Sequence, residues 1–422
     1  MKKFIFLVIS VLVFNAYSYS QTSWVRVTDS IPNMTVMSMQ FTSVNTGFAS
    51  CSYGTTSPGA FLRTTNAGMN WQVTQFPNYS ADAISFLNDN TGYMSCWYPG
   101  YSNIFKTTNG GITWVRKDSS ILSNFIVKFY DYNTGMIAAK YGYSRKTTDG
   151  GERWTNLTKT FWREPQSLCC LNENTWLVAD GGTDLYKTTD GGNSWAKISF
   201  PDMPLKSLYF INSTTGYSAA STNYPFMGKF YKTTNSGNNW TLICSIASLY
   251  VTSNLTFVNE NTGYICGTGV AGEVLRTTNG GYNWSMQSPR TTYSFFHAVY
   301  FINAWTGFVG DADGIIYKTT NGGSVFVNNI STEIPKAYSL SQNYPNPFNP
   351  ATTIKFAIPK SSLVKITVYN LLGKEIETVV NEYLQAGTYQ TQWDATKYSS
   401  GMYFYRITAG NFTNSKKMLL IK

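Results

Sequence analysis

The chain has 422 residues, of which 43% are hydrophobic and only 13% are charged. A low charged fraction beside a high apolar fraction excludes an intrinsically disordered chain and a coiled coil. The 30 Tyr, 26 Phe and 12 Trp residues, together with 34 Gly residues, are typical of an all-β protein, because aromatic side chains favour strands and glycines favour turns.

The formal net charge of +10 is spread along the chain. Residues 22–330 carry 20 basic and 17 acidic side chains, and residues 331–422 carry ten basic and five acidic ones. Seven of the 20 basic side chains recur at one position of an internal repeat, which distributes them around the molecule rather than along a stripe. We therefore expect no nucleic-acid partner.

Residues 1–20 have the order of a secretory signal peptide. Lys2 and Lys3 precede an apolar run over residues 4–14, and a small polar segment follows. The run is too short to span a bilayer, which takes about 20 residues, and we expect no transmembrane segment in the mature chain. The chain is therefore expected to be exported, with a mature N-terminus near Gln21.

The motif Thr-Thr-(Asn/Asp)-x-Gly-x-x-Trp recurs through residues 22–330 at intervals of 40 to 45 residues, each time after an Arg or Lys. A second motif, an apolar residue followed by Thr-Gly-aromatic, alternates with it. The aromatic residues that end the first motif are Trp71, Trp114, Trp154, Trp195, Trp240, Trp284 and, in a degenerate copy, Phe326. The Asn or Asp and the Gly favour a tight hairpin, so each unit is interpreted as four short strands. One unit cannot bury both of its faces, and seven copies predict a seven-bladed β-propeller over residues 21–330.

The ends of the repeat region predict how the ring closes. Residues 23–26 have the pattern of a fourth strand but lack three strands before them, and the seventh unit carries the degenerate segment around Phe326. We expect the Trp24 strand to be the outer strand of the seventh blade. The fourth unit keeps Leu171 of the second motif but has Trp176 where Gly is expected.

The Asn/Asp turns resemble the Asp-box (bacterial neuraminidase repeat) hairpin. The fuller Lys-Thr-Thr-(Asn/Asp)-Gly-Gly-x-x-Trp form, with its Thr-Gly-Tyr strands, is similar to propellers of the photosystem II stability/assembly factor type. This resemblance covers about 300 residues and implies a propeller fold, in which the box is a structural hairpin remote from any active site. Asn replaces Asp in five of the seven copies, which leaves Asp149 and Asp190.

From Tyr338 onwards, a Pro-rich segment and alternating strands predict a small immunoglobulin-like β-sandwich. Its motifs are Asn-Tyr-Pro-Asn-Pro-Phe-Asn-Pro (343–350), Asn-Leu-Leu-Gly-Lys (370–374), Trp-Asp-Ala (393–395) and Ser-Gly-Met-Tyr-Phe (400–404). This series resembles the type A C-terminal sorting domain of the type IX secretion system. The resemblance implies that the type IX secretion machinery is a partner, and that the chain passes through the periplasm to the outer surface of a Gram-negative cell or is released. We assign residues 331–343 to a linker and 344–422 to the sorting domain.

The six Cys residues have no tight spacing and no His partners, which argues against a zinc site and favours free thiols over disulfides. We predict no metal, no cofactor and a monomer.

The loops that join strands two and three, and those that join successive blades, share one face of a propeller and are the expected place for a site. One column of the first strands, four residues before the Phe of each unit or before Leu171, varies in chemistry and is expected at the mouth of the central channel. Its members are Met37, Asp82, Phe125, Ser167, Lys206, Ser253 and His297. With the loop aromatics, the predicted ligand-binding residues are Asp82, Trp97, Tyr98, Trp162, Arg163, Lys206, Tyr224, Arg290 and His297.

Catalysis receives less support from the sequence than binding does. His297 is the single His and no nucleophile elbow accompanies it, which argues against a Ser-His-Asp hydrolase. A sialidase would need three Arg, and the candidate loops offer Arg163 and Arg290. The paired carboxylates of a glycoside hydrolase stay open, with Asp82, Asp118, Glu164, Asp180, Asp184, Asp202, Asp311 and Asp313 as candidates. We therefore predict a secreted or cell-surface, non-catalytic propeller that binds a glycan or a protein. The alternatives are an extracellular glycoside hydrolase and a structural adhesin or assembly factor.

Overall fold

The structure is a computed structural model. The residues that it describes are 24–29, 31, 33–52, 58–98, 101–120, 125–139, 143–157, 163–199, 204–223, 226–246, 249, 251–268, 272–287, 295–320, 322–323, 328–331, 333–384, 386–395 and 398–422. The predicted signal peptide and Phe326 lie outside these residues.

Seven four-stranded antiparallel sheets are formed within the described part of residues 24–319. In six of them the strand order follows the chain, as in a simple meander. The first strand of each sheet packs against the first strands of the two neighbouring sheets, which arranges the sheets in a closed ring. The predicted all-β, seven-bladed propeller is confirmed.

The strands of the first three blades are β2 (Thr35–Phe41), β3 (Gly47–Ser52), β4 (Gly59–Thr64) and β5 (Gln72–Phe76); β6 (Ser80–Phe86), β7 (Gly92–Tyr98), β8 (Tyr101–Thr107) and β9 (Val115–Ser120); and β10 (Phe125–Phe129), β11 (Gly135–Ala139), β12 (Ser144–Thr147) and β13 (Thr155–Asn156). The next three blades contain β14 (Ser167–Cys170), β15 (Trp176–Ala179), β16 (Asp184–Thr188) and β17 (Ala196–Ser199); β18 (Leu205–Phe210), β19 (Gly216–Asn223), β20 (Phe226–Thr233) and β21 (Thr241–Ile246); and β22 (Val251–Phe257), β23 (Gly263–Thr268), β24 (Gly272–Thr277) and β25 (Ser285–Met286). The seventh blade contains β26 (Phe296–Phe301), β27 (Gly307–Asp311), β28 (Ile316–Thr319) and the N-terminal β1 (Val25–Arg26).

The N-terminal strand closes the ring, because β1 pairs with β28 as the outer strand of the seventh blade. Trp24 is 2% exposed, its ring meets that of Phe301 edge-on with centroids 6.0 Å apart, and its Nε1 donates to the carbonyl oxygen of Gln287. The Tyr300 hydroxyl donates to the carbonyl oxygen of Phe41 in the first blade at 2.8 Å. The predicted closure by the Trp24 strand is confirmed.

The Thr-Gly-aromatic motif joins adjacent blades. Gly263 lies opposite Phe257, and an added Cβ would be 2.6 Å from the Phe257 ring, so the ring requires a glycine beneath it. The same ring stacks on Tyr217 of the preceding blade, with centroids 3.6 Å apart. Equivalent stacks join Phe48 with Phe86, Tyr93 with Phe129, Tyr264 with Phe301, and Phe308 with Phe41.

The fourth blade departs from the expected alignment by one residue. Cys170 lies opposite Trp176, so Cys170 occupies the position that Phe has in the other blades. The backbone N–H of Leu171 bonds the carbonyl oxygen of Thr175, as the residue after the Phe does elsewhere in the ring. The alignment of this unit on Leu171 is therefore wrong by one residue, which removes Ser167 from the mixed column.

The predicted Asn/Asp turn joins the third and fourth strands. In the first blade the Thr64 hydroxyl donates to Asn66 Oδ1 at 2.9 Å and accepts the backbone N–H of Gly68 at 3.0 Å. Asn66 Oδ1 also accepts the backbone N–H of Asn70 at 2.9 Å. Ala67 and Gly68 both have positive φ, with values of 57° and 73°, as a tight hairpin of this hand requires.

The basic residue before each turn reaches towards the next blade. Lys106 Nζ donates to the carbonyl oxygen of Gly150 at 2.8 Å and lies 5.6 Å from the centroid of the Tyr93 ring. Lys318 reaches the carbonyl oxygen of Ala67 in the first blade in the same way, at 2.7 Å. These cations are therefore engaged between blades around the ring rather than gathered in a stripe.

A small β-sandwich follows the propeller, as predicted. Its sheets have the strand orders β29-β34-β31-β30 and β33-β32-β35-β36, and its core includes Phe356, Trp393 and Tyr405. The strands are β29 (Asn328–Ser331), β30 (Ser339–Leu340), β31 (Ala351–Ile358), β32 (Ser362–Tyr369), β33 (Glu375–Leu384), β34 (Gly387–Asp394), β35 (Gly401–Ala409) and β36 (Phe412–Leu420).

The segment that was expected to be a linker, residues 331–343, contains paired residues. β29 pairs with β34, with Asn329 opposite Tyr389. β30 pairs with β31, with Leu340 opposite Phe356. The chain thus enters the sandwich before residue 331, in a strand whose partner lies about 60 residues later.

All six cysteines lie in the described part of the chain and are unpaired. Burial raises the pKa of Cys51, Cys96 and Cys266 well above the usual range of a thiol. These thiols are therefore protonated at neutral pH and act as small apolar side chains.

Candidate functional site

Six of the nine predicted ligand-binding residues are described, and all six lie at the end of the blades where the first strands begin and the second strands end. They are Asp82 in β6, Trp97 and Tyr98 in β7, Arg163 before β14, Lys206 in β18 and His297 in β26. Trp162, Tyr224 and Arg290 lie outside the described residues.

Five members of the mixed column are β-bulge residues. Each of them has no partner residue in the register between the first and second strands of its blade. The five are Met37, Asp82, Lys206, Ser253 and His297. In every case the preceding residue is buried and the bulge residue is at least partly exposed. A bulge re-aims a side chain out of the regular alternation, which explains how polar side chains enter an otherwise apolar inner strand. The five bulges lie at equivalent positions near the start of the first strand of five blades.

Asp82 is the acidic group of this ring. Ser80 donates a hydrogen bond to Asp82 Oδ1 at 2.7 Å, and Ser50 of the first blade donates to the Asp82 carbonyl oxygen at 3.2 Å. Burial raises the pKa of the Asp82 carboxyl to about 6; the Ser80 hydrogen bond opposes this rise and the negative charge of Glu164 adds to it. Glu164 precedes the fourth blade, so its charge acts on Asp82 from another blade. A carboxyl with a pKa near neutral can both donate and accept a proton.

Aromatic side chains lie beside Asp82 on the second blade. Tyr98 is 41% exposed, and its ring centroid is 5.6 Å from that of Tyr79. Tyr79 packs edge-on against Phe105 at 5.4 Å, which fixes the orientation of the pair. Trp97 lies directly opposite Ser80, the residue that holds the Asp82 carboxyl. The second blade therefore presents a partly exposed ring, Tyr98, at the same end as the Asp82 carboxyl.

Arg163 is directed to the turn of its own blade. An added Cβ at Gly182 would lie 2.9 Å from Arg163 Cδ, so the side chain passes directly over this glycine. Asp180 accepts the backbone N–H of Gly182 at 2.9 Å. Burial raises the pKa of Asp180, and the charge of Arg163 works against that rise. Arg163 thus lies over the turn that follows Asp180, and its charge partly offsets the effect of burial on that carboxyl.

Lys206 and His297 take the positions equivalent to Asp82 in the fifth and seventh blades. Burial lowers the pKa of His297, so its imidazole is neutral at pH 7. Among the described residues no hydrogen bond or ion pair joins either side chain to Asp82. A ligand that contacts all three side chains would have to extend from the second blade to the fifth and the seventh.

Most of the other candidate carboxylates have structural partners. Asp118 pairs with Arg145, Asp184 pairs with Lys197, and Asp311 accepts the backbone N–H groups of Asp313 and Ile315. Asp202 lies outside the described residues. Among these candidates, Asp82 is the carboxyl whose pKa burial raises to about 6, and the charge of Glu164 adds to that rise. No group of three or more His, Cys, Asp or Glu within the described chain could hold a metal ion.

Sequence reasoning missed Ser80 and the coupling of Asp82 to Glu164. Ser80 carries no sequence signal, since a serine at the start of a strand is ordinary. Glu164 lies 82 positions after Asp82 in the sequence, and only the closed ring brings their charges together. The bulges can be recognised in the sequence, because they occupy positions of the mixed column.

Residues 342–422 match the family model of the secretion system C-terminal sorting domain. The C-terminal sandwich is a sorting domain. Its presence implies that the chain interacts with the secretion machinery and is exported to the cell surface or beyond. Within the described residues, no helix has the length and apolarity needed to cross a membrane.

Solved structures share the propeller fold. A structure described as "YCF48 bound to D1 peptide" has 17% identity and a TM-score of 0.57, covering 72% of this chain and 98% of its own. PorZ, a bacterial surface component of the type IX secretion system of Porphyromonas gingivalis, has 12% identity and a TM-score of 0.52. The match covers 91% of this chain and 59% of PorZ. The GH74 xyloglucanase of Xanthomonas campestris has 11% identity and a TM-score of 0.54, covering 94% of this chain and 67% of its own.

At these identities the shared property is the fold. The expected likeness to the photosystem II assembly factor propellers is confirmed at that level. None of the curated proteins matches the sequence.

Proposed function

We propose that the propeller is a non-catalytic binding module that the sorting domain delivers to the cell surface or the medium. Its ligand is a glycan or a protein, held on the face where the five bulges lie. The observation that carries this proposal is that Asp82, Trp97 and Tyr98 lie at the same end of the second blade, with Trp97 directly opposite Ser80, which donates a hydrogen bond to the Asp82 carboxyl.

The chemistry of this face favours binding. Exposed aromatic rings pack on sugar rings and on peptide side chains, and a neighbouring carboxyl accepts hydrogen bonds from hydroxyl or amide groups. The bulge positions differ from blade to blade, with Lys206 and His297 completing a ring of unlike groups. Such a ring supports specificity for an extended ligand, because each blade contributes a different contact.

A glycoside hydrolase is the second candidate, and Asp82 with Glu164 favours it. Such an enzyme needs one carboxyl group held protonated near neutral pH and another that stays ionised. The raised pKa of Asp82, about 6, meets the first requirement. In this mechanism Asp82 would be the general acid, and Glu164 the nucleophile or base.

An array of glycans and peptides, incubated with the full mature chain, tests the proposal, with a parallel assay for released reducing sugar. We expect saturable binding without sugar release, and a loss of about tenfold or more in affinity for Tyr98→Ala and Asp82→Asn. Tyr132→Ala is the matched control, because Tyr132 is 57% exposed at the opposite end of the blades.

Sugar release that disappears in Asp82→Asn would establish the hydrolase instead. Equal affinity of the wild type and both site variants would show that the ligand binds elsewhere on the molecule. Binding to peptides alone would favour the adhesin or assembly-factor interpretation over a glycan receptor.

A further inference from the structure

The sorting domain carries exposed apolar side chains that its fold does not require. Among the residues of its motifs, Phe348 and Trp393 are each 2% exposed and pack in the hydrophobic core. Leu371 and Leu372 belong to the same series of motifs, yet they lie in the turn between β32 and β33 with 65% and 91% exposure. Core packing therefore explains the first pair and leaves the two leucines unexplained.

Three more apolar side chains lie at the same end of the same sheet. Met402 and Leu419 are directly opposite each other on β35 and β36, with 40% and 38% exposure. Phe404, 36% exposed, lies opposite Tyr369, the last residue of β32. Because Leu371 comes two residues after Tyr369, all five side chains lie at this end of the sheet, and we treat them as one surface. We call it the leucine-turn patch, and it consists of Leu371, Leu372, Met402, Phe404 and Leu419.

The border of the leucine-turn patch is basic. Lys417 lies opposite Phe404, and the Arg406 guanidinium is 5.2 Å from the centroid of the Tyr369 ring. Glu375, opposite Tyr369, has its carboxylate 3.6 Å from Lys365 Nζ, so its charge is balanced within the domain. The whole segment from residue 331 onwards carries ten basic and five acidic side chains. The surface thus combines an apolar centre with a positive border.

We propose that the leucine-turn patch is the surface by which the export machinery recognises this sorting domain. A sorting signal is read from its outer surface, so its buried motif residues are out of reach of a receptor. Large exposed apolar patches mark interaction sites, because removing apolar surface from water favours association. The partner that fits is a protein of the machinery with an apolar socket bordered by carboxylates.

Export of the full chain from a Gram-negative host with a type IX system tests the proposal. The double variant Leu371→Ser/Leu372→Ser is expected to lower the extracellular amount by about tenfold or more and to retain the chain in the periplasm. Leu363→Ser is the matched control: Leu363 is a 56% exposed leucine near the opposite end of β32, and its export should equal that of the wild type. Wild-type export of the double variant would overturn the proposal.

A charge variant separates recognition from folding. Lys417→Glu leaves the apolar residues intact on an exposed position, and we expect it to reduce export while the retained chain keeps the protease resistance of the wild type. Lys417→Arg should be exported normally. If the leucine variant is degraded in the periplasm, Lys417→Glu decides the question, and its normal export would overturn the proposal.

Vesicles distinguish a protein receptor from a lipid surface. The purified full chain is incubated with vesicles of phosphatidylglycerol and phosphatidylcholine, and sedimentation reports binding. A protein receptor predicts no sedimentation above that of the Leu371→Ser/Leu372→Ser variant. Sedimentation that this variant loses, combined with its normal export, would assign the patch to an anionic lipid surface and overturn the proposal.

Discussion

Asp82 illustrates how one residue acquires its chemistry from the backbone around it. The bulge in β6 places its carboxyl in a partly buried position, where Ser80 orients it and Glu164 adds negative charge. The residue before it, Ala81, is fully buried. The same aspartate in a regular strand would alternate with its neighbours, and it would face either the blade interface or solvent.

The raised pKa of Asp82 predicts a pH-dependent stability. The folded state holds the proton up to about pH 6, whereas an unfolded aspartate loses it near pH 4. The folded state therefore binds more protons between these values, and stability falls as the pH rises through this window. Asp82→Asn should melt like the wild type at pH 4 and should be more stable at pH 7.5, by up to about 3 kcal/mol.

Thermal melts of both proteins at pH 4, 5, 6 and 7.5 measure this effect. Asp149→Asn is a control, because Asp149 is exposed and backbone hydrogen bonds lower its pKa, so its loss should not stabilise the protein at pH 7.5. A difference between wild type and Asp82→Asn that stays constant with pH would contradict the raised pKa.

At the scale of the strand and turn, the sequence predicts what is local. The groups that form each Asn/Asp hairpin lie within eight residues, as Thr64, Asn66 and Gly68 show, so the hairpins and the blade count could be derived from the repeat alone. The bulges and the β29–β34 pairing depend on partners elsewhere in the chain, and a four-residue strand such as β29 has no alternation to recognise. The one-residue offset at Cys170 has the same origin, because pairing and not spacing sets the register.

The contact between β22 and β23 provides a test of why the Thr-Gly motif needs glycine. In Gly263→Ala the new Cβ would lie 2.6 Å from the ring of Phe257, which is itself stacked on Tyr217 and has no room to move. We expect a loss of about 1 to 3 kcal/mol in the free energy of unfolding, measured by denaturant titration.

A double-mutant cycle isolates this contact. In a Phe257→Ala background the ring is gone, and Gly263→Ala should then cost less than about 0.5 kcal/mol. Equal costs in the two backgrounds would show that the glycine is needed for the strand itself and not for the ring above it.

For the molecule as a whole, stability depends on a ring in which every blade contacts the next. The Phe stacks and the basic side chains repeat from blade to blade, and Tyr300 with Phe41 extends this contact across the closure. The seventh blade differs from the others, because its outer strand β1 comes from the opposite end of the chain. The hydrogen bonds of β1 therefore hold together two ends of the repeat region that would otherwise separate.

Truncation of Trp24 tests this closure. Trp24→Ala removes a side chain that is 2% exposed, contacts Phe301 and bonds the carbonyl oxygen of Gln287, and it should cost about 3 to 5 kcal/mol. Trp114→Ala is the matched control, since Trp114 packs edge-on against Phe61 of the first blade and Phe86 of the second, and each of these blades consists of four consecutive strands.

Hydrogen exchange distinguishes the two variants. Loss of Trp24 releases the short strand β1, so exchange should rise at Lys318 and Tyr317 in β28, which pair with it, and should spread to β2 of the first blade. Loss of Trp114 should raise exchange only in the first and second blades, which it contacts, because covalent hairpins still hold the strands of both blades in place. If β28 keeps its protection in Trp24→Ala, the ring does not depend on its N-terminal strand, and closure would rest on the contacts that β26, β27 and β28 make with the first blade.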